Sequence, residues 1–170
     1  MGHMNKRIWA GLLLAAGLTA PAFGQTAAFK AKFGDWSVYA SQGGAKKVCF
    51  AVAQPRSKKP PNVKRDPIYF YVSDWPGDKV SNEISVKMGY PLKPGVDATI
   101  KIADQTFKLF TKGQGAYVEK TDMERKVVAA MKGGATLVVQ GRSTRGTLTT
   151  DEYSLTGISK AVDAAAKACK

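Results

Sequence analysis

The sequence has 170 residues and a formal net charge of +13, with 26 Lys and Arg against 13 Asp and Glu. Its single histidine, His3, lies in Met1-Gly2-His3-Met4, which has the form of a cloning scar ahead of a native start at Met4. A native chain without histidine excludes Ser-His-Asp and Cys-His catalysis and histidine-ligated metals, and two cysteines are too few for a four-cysteine zinc or iron–sulfur site. We therefore predict a binding or structural protein with no catalytic residue, metal site or cofactor.

The N-terminus has the three parts of a secretory signal peptide. Asn5-Lys6-Arg7 is basic, residues 8–18 are apolar, and the small residues Ala22 and Gly24 offer cleavage sites. The apolar stretch is about half of the roughly 20 residues that a membrane-spanning helix needs, which argues against a retained anchor. We predict that residues 1–24 are the scar plus a cleavable signal, with cleavage after Gly24 or, as second choice, after Ala22. Loss of its two basic residues lowers the net charge to +11 and leaves no transmembrane segment.

Short strands separated by Gly and Pro residues dominate the rest of the chain. Strands are predicted where apolar and polar residues alternate, or where β-branched and aromatic residues cluster. These segments are residues 36–40, 48–53, 68–72, 84–88, 98–102, 106–110, 116–118, 135–141 and 147–156. Residues 55–67 are expected to be a basic, Pro-rich loop.

Two helices are predicted in the last third of the chain. Residues 121–124 (TDME) have the form of a capping box, and Gly133-Gly134 ends the apolar series that follows. The second series runs from Ile158 to Cys169 and places Cys169 on the apolar face of a closing helix. Eight or nine short strands with two late helices predict a mainly β fold, an antiparallel β-sandwich. We expect a linker over residues 25–32 and one domain over residues 33–170.

Cys49 and Cys169 form an even pair in a chain that is predicted to be exported. In an oxidising compartment such a pair usually forms a disulfide. A bridge across 120 residues would contribute on the order of 4 kcal/mol in the chain-entropy model. Two buried thiols or a reactive pair are the alternatives, and the disulfide is our prediction.

Basic residues are concentrated in two places. Half of the residues in segment 56–65 are basic: Arg56, Lys58, Lys59, Lys64 and Arg65. They suit an anionic partner such as lipopolysaccharide phosphate, a sulfated glycan or an acidic protein surface, although a solvated loop is the simpler interpretation. Arg142 and Arg145 flank hydroxyl residues and form either a second anion-contacting rim or a hydrophilic hairpin. Nucleic acid is not an expected partner, because no nucleic-acid-binding motif is visible.

Aromatic and acidic residues offer weaker functional signals. Four aromatic side chains are candidates for stacking on sugar rings: Tyr69, Tyr71, Trp75 and Tyr90. Strand aromatics more often belong to a core, which is the interpretation we favour, with Trp75 as the most exposed of the four. Asp151 and Glu152 are neighbours, so on a strand they should point to opposite faces, and a paired-carboxylate hydrolase is not favoured.

Seven short motifs are spread over nearly the whole mature chain. They are FGDW (33–36), CFAVAQP (49–55), RDP (65–67), GYPL (89–92), LFTKG (109–113), GRSTRGT (141–147) and DEYSLTG (151–157). Together they resemble the invasion-associated locus B (IalB) family of secreted alphaproteobacterial proteins. The resemblance implies an immunoglobulin-like β-sandwich, export to the periplasm or outer surface and a link to host-cell invasion, with no catalytic residues to carry over. Many relatives carry a cysteine near the position of Ala40, and its absence here favours Cys169 as the partner of Cys49.

These observations predict an exported, non-enzymatic protein of the periplasm, the outer membrane or the extracellular space. Its expected partner is an anionic glycan, lipopolysaccharide, or a protein of the envelope or host surface. The alternative is a structural or stress-related periplasmic protein with a protein partner, and a histidine-free hydrolase is the least favoured function. The sequence does not predict an oligomeric state.

Overall fold

The structure is a computed structural model that describes residues 27–41 and 47–170. The predicted signal peptide lies outside the described residues. Within them there are eleven strands: β1 (Ala27–Phe33), β2 (Trp36–Ser41), β3 (Cys49–Ala53), β4 (Ser57–Lys59), β5 (Tyr69–Trp75), β6 (Val80–Lys87), β7 (Ala98–Ile102), β8 (Gln105–Lys112), β9 (Gly115–Tyr117), β10 (Thr136–Arg142) and β11 (Leu148–Ser154). The helices of this part of the chain are α1 (Thr121–Gly133), α2 (Ile158–Ala168) and a 3₁₀ turn at Pro76–Asp78.

The strands form one antiparallel sheet that folds over into two layers. Its order is β1-β2-β3-β5-β6-β9-β8-β7-β10-β11-β4. Strand β8 belongs to both layers, because residues 105–109 pair with β7 and residues 110–112 pair with β9. Sheet A comprises β1, β2, β3, β5, β6 and β9, and sheet B comprises β7, β10, β11 and β4. The predicted mainly β fold, a sandwich with an internal and a C-terminal helix, is confirmed.

The facing sides of the two sheets share one hydrophobic core. Trp36 is fully buried on sheet A, and its indole N–H donates to the Ser154 carbonyl of sheet B at 3.0 Å. The rings of Trp36 and Phe70 meet edge to face with centroids 5.9 Å apart. Phe70 meets Tyr153 of sheet B at 5.6 Å. A chain of aromatic rings that begins at Trp36 thus joins the layers.

Helix α2 covers the inner side of sheet A at β1, β2, β3 and β5. It does so with the apolar face that the sequence predicts, which includes Ile158, Val162 and Ala165. Cys169 follows the helix and is bonded to Cys49 of β3, with Cα atoms 5.6 Å apart. The predicted disulfide is confirmed, and it ties the end of α2 to the middle of sheet A.

Two local expectations differ from the structure. Helix α1 has Lys120 at its N-cap without a side-chain cap, so the predicted capping box is wrong. Glu124 points inward instead, where its carboxylate accepts a hydrogen bond from the Ile84 N–H at 3.4 Å. Strand β1 occupies most of segment 25–32, for which a linker is expected, because these residues pair with β2 along its whole length.

Candidate binding surfaces

The basic side chains of segment 56–65 lie in different parts of the molecule. Residues in the middle of the expected loop form β4, the edge strand of sheet B, which pairs with β11. The backbone N–H of Arg56 donates to the Glu152 carbonyl at 2.7 Å just before this strand. Successive side chains of a strand point to opposite sides. The five predicted basic residues therefore do not form one continuous patch.

Arg65 lies between the two sheets. Its guanidinium donates to both oxygens of Asp151, at 2.6 and 2.7 Å, and the two side chains are 4% and 0% exposed. It also donates to the Met88 carbonyl at 2.7 and 3.1 Å and lies 4.9 Å from the centre of the Tyr90 ring. Arg65 is thus a structural residue, which corrects its assignment as a candidate for anion binding.

Arg56 lies at the surface, near the start of β2. Its guanidinium is 2.6 Å from the Asp35 carboxylate, and the two side chains are 60% and 30% exposed. A hydrogen bond from the Ser154 side chain, together with Arg56 and Lys32, holds the pKa of Asp35 below its usual range in spite of partial desolvation. Arg56 remains accessible to a ligand.

The outward side of sheet B carries a group of basic side chains. Residues that pair across neighbouring strands point to the same side of a sheet. Lys59 pairs with Thr150, which pairs with Gln140. Gln140 pairs with Thr99, which pairs with Lys108 on β8. Alternation along β7 and β10 adds two further residues to this side. The basic face, as we name it, consists of four exposed side chains: Lys59, Lys101, Lys108 and Arg142.

Sequence reasoning found Lys59 and Arg142 but missed Lys101 and Lys108. The signal was present, because both lysines alternate with buried apolar residues in the predicted strands 98–102 and 106–110. From Lys59 to Lys108 the basic face spans four inter-strand spacings, or about 19 Å. The exposed acid Glu152 shares this side, whereas its neighbour Asp151 points inward, as predicted.

The other predicted basic residues lie around the edges of sheet B. Lys64 is exposed in the loop after β4, and Arg145 is exposed in the turn between β10 and β11. Lys58 lines a depression of about 300 Å³ together with Asp66 and the side of Arg65. These three residues border the basic face without belonging to it.

The outward side of sheet A carries a row of aromatic rings. Adjacent ring centroids are 5.6 Å apart for Phe29 and Tyr39, 5.6 Å for Tyr39 and Phe50, and 5.7 Å for Phe50 and Tyr71. Beyond β6, Tyr117 and its neighbour on β8 stack at 5.3 Å. The aromatic face, as we name it, consists of Phe29, Tyr39, Phe50, Tyr69, Tyr71, Phe110 and Tyr117.

The four aromatic residues considered as sugar-stacking candidates therefore have different positions. Tyr90 is 8% exposed, and its hydroxyl shares a 2.7 Å hydrogen bond with Thr149, so its predicted core position is confirmed. Tyr69 and Tyr71 are half-buried on the outward side of sheet A, and the core prediction is wrong for both. No element among the described residues covers this side of the sheet.

The sequence model of the family described as invasion associated locus B (IalB) protein matches residues 36–166. The chain belongs to the IalB family. The match begins at the core residue Trp36. It also includes Cys49, which forms the disulfide, and Asp151, which pairs with Arg65. The motifs that carry the resemblance are thus largely those that hold the sandwich together.

The fold of this IalB family protein is similar to that of invasion associated protein B from Bartonella henselae, known from a crystal structure. The TM-score is 0.59 with 16% sequence identity, and the match covers 82% of this chain and 96% of that chain. At this identity the likeness shows a shared fold. Among curated proteins, none matches this sequence.

Two further kinds of feature are absent from the described residues. Neither helix in residues 27–41 and 47–170 is long and apolar enough to span a membrane. The same residues contain no group of three or more His, Cys, Asp or Glu side chains placed to hold a metal ion.

Proposed function

We propose that this IalB family protein is exported to the cell envelope or beyond and binds an anionic partner through its basic face, without catalysing a reaction. The disulfide between Cys49 and Cys169 supports export, because such bonds persist in oxidising compartments such as the periplasm. The signal-peptide pattern of residues 1–24 supports the same route. The compartment that fits these features is periplasmic, outer-membrane-associated or extracellular.

The observation that carries the proposal is the gathering of Lys59, Lys101, Lys108 and Arg142 on one side of sheet B. Four cations within about 19 Å create a local positive potential that attracts and orients an anion before contact. The guanidinium of Arg142 adds the planar donor geometry that suits phosphate and carboxylate oxygens. Lipopolysaccharide phosphate and anionic glycans have the charge and the accessibility in the envelope that this face requires.

The experiment compares two variants of equal net charge. In the first, Lys59→Gln, Lys101→Gln, Lys108→Gln and Arg142→Gln neutralise the basic face. In the control, four exposed lysines on or beside the helices are neutralised: Lys120, Lys126, Lys160 and Lys167. Binding to immobilised heparin and to lipopolysaccharide is measured from low to physiological salt.

We expect the basic-face variant to lose at least tenfold in affinity and most of the salt dependence, whereas the control keeps both. An equal loss in the two variants would show that net charge alone drives binding. Salt-resistant capture of one envelope protein by both variants would instead favour the structural or stress-related role. Either result would reject an anion site on sheet B.

A further inference from the structure

We infer that the aromatic face is a second binding surface, separate from the basic face, and that its ligand is a linear anionic glycan lying across the strands of sheet A. The two end residues of the row, Phe29 and Phe110, are 58% and 44% exposed. A row of rings on an uncovered sheet, broken at β6 where Ser85 lies between Tyr71 and Tyr117, marks a binding site more often than an inert surface.

The chemistry of the row matches a sugar rather than a lipid. Hydroxyl groups of four tyrosines alternate with the phenylalanine rings, and Ser37 and Ser85 lie on the same side of the sheet. A pyranose has C–H groups on its faces and hydroxyls at its edge. The negatively polarised face of an aromatic ring attracts those C–H groups, while tyrosine and serine hydroxyls pair with the sugar hydroxyls.

The Tyr71 hydroxyl on this face is a neutral donor. Burial, with Tyr69 close by, raises the pKa of Tyr71 above its usual value. The phenol therefore keeps its proton at neutral pH and can both donate and accept a hydrogen bond.

Two depressions on this face share a pattern of two phenols and two cations, and the first also contains the acid Asp35. One, of about 480 Å³, is lined by Tyr39 and Tyr69 with the cations Lys32 and Arg56. The other, of about 320 Å³, is lined by a second pair of tyrosines and a second pair of cations, namely Tyr71, Tyr117, Lys87 and Lys112. Because the pattern of two phenols and two cations occurs twice along the row, it fits a ligand that repeats both a ring and a negative charge.

The side chains of the aromatic face argue against two other ligands, a second copy of the chain and an anionic bilayer. Asp35 in the first depression is already paired with Arg56, and burial raises the pKa of the half-buried Glu83 on this side. A second copy of the chain would bring cations against cations. An anionic bilayer would gain little apolar burial, because only Phe29 and Phe110 project strongly from the sheet. The row crosses seven strands, or about 29 Å, which suits an oligosaccharide of several sugars.

The test uses hexasaccharides of galacturonate and hyaluronan, with cellohexaose as a neutral probe of similar length. Binding is followed by calorimetry and by the backbone amide NMR shifts of sheet A in the unaltered protein. Three variants are compared: Tyr71→Leu with Tyr117→Leu, Lys87→Gln with Lys112→Gln, and the basic-face variant defined above. Thermal unfolding establishes that each variant is folded.

We expect at least one anionic hexasaccharide to shift amides of β5, β6 and β9 and to bind at least tenfold more tightly than cellohexaose. The tyrosine and lysine variants should each lose at least tenfold in affinity, and the basic-face variant should lose less than threefold. Absence of binding by both anionic probes would overturn the inference, as would a loss confined to the basic-face variant. Binding to phosphatidylglycerol vesicles or self-association through this face, without glycan binding, would also overturn it. Because each face has its own variant, this outcome is independent of the proposal for the basic face.

Discussion

Arg56 and Arg65 mark the two ends of one basic segment, and each places a guanidinium nitrogen 2.6 Å from a carboxylate. The Arg56 pair is largely in water, whereas the Arg65 pair is buried between the sheets. An exposed pair contributes at most about 1 kcal/mol, because solvent screens it. Removing one partner of a buried pair costs about 3–5 kcal/mol, because an uncompensated charge stays behind. Burial, and not distance, decides which of the two contacts stabilises the fold.

The largest expected effect is that of Arg65→Met. It should lower the free energy of unfolding by about 3–5 kcal/mol, because Asp151 is left charged without a partner. The matched control Arg56→Met should lower it by less than about 1 kcal/mol. Urea denaturation measures both values. Equal losses of stability in the two variants would contradict the contrast between the buried and the exposed pair. Partial recovery of stability in the double variant Arg65→Met with Asp151→Leu would confirm that the unpaired Asp151 side chain causes the loss.

The second-largest effect on stability is expected for the disulfide between Cys49 and Cys169. Replacing Cys49 and Cys169 by serine should lower the free energy of unfolding by about 4 kcal/mol, because a restraint across 120 residues is removed from the unfolded chain. Urea denaturation with and without dithiothreitol measures it. Reduction should destabilise the unaltered protein and leave the serine variant unchanged. An unaltered protein that resists reduction-induced destabilisation would contradict this role for the bridge.

A smaller effect is expected at Glu124, which lies on the buried side of α1. Burial, partly opposed by the hydrogen bond from Ile84 and reinforced by Glu83, raises the pKa of Glu124 above its ordinary value of 4.5. The folded state therefore holds this proton more tightly than the unfolded state, and stability falls as the pH rises from 4.5 through the raised pKa. Glu124→Gln should raise stability at pH 7 and flatten this fall, as followed by thermal unfolding from pH 4 to 8. Exposed Glu152→Gln is the control, and equal behaviour of both would refute the burial argument.

The smallest effect on stability is expected on the basic face. Lys59→Gln with Arg142→Gln should change the free energy of unfolding by less than about 0.5 kcal/mol, because both side chains are exposed. The same variant should bind heparin more weakly in a salt gradient. A large loss of stability would mean that these cations, like Arg65, serve the fold.

Much of the fold follows from local patterns. Alternation places Trp36 and Cys49 inward, and the helical spacing from Ile158 to Cys169 predicts both α2 and the side of its cysteine. The disulfide is predictable because Cys49 and Cys169 are the two cysteines of the sequence and can pair only with each other within one chain. These inferences succeed because each depends on a few residues of one element and on general rules of periodicity.

The division of segment 56–65 could not be predicted in this way. The burial of Arg65 depends on Asp151, which is 86 residues away, and β4 exists because it pairs with β11. Tyr69 and Tyr71 belong to a strand that is apolar on both sides, so alternation does not tell which side is covered. Which side of this strand is covered depends on where α2 and sheet B pack, and that packing is set by the whole chain.

Strand β8 has a consequence for how the two faces work together. Lys108 of the basic face and Phe110 of the aromatic face lie two residues apart on its outward side, or about 7 Å along the strand. The two faces are therefore separate binding surfaces that meet at the bend of β8. A polymer long enough to pass this bend makes its second contact within the same complex, at a high effective concentration. We expect the affinity of such a polymer to rise steeply with its chain length, although each sugar meets the same side chains as before.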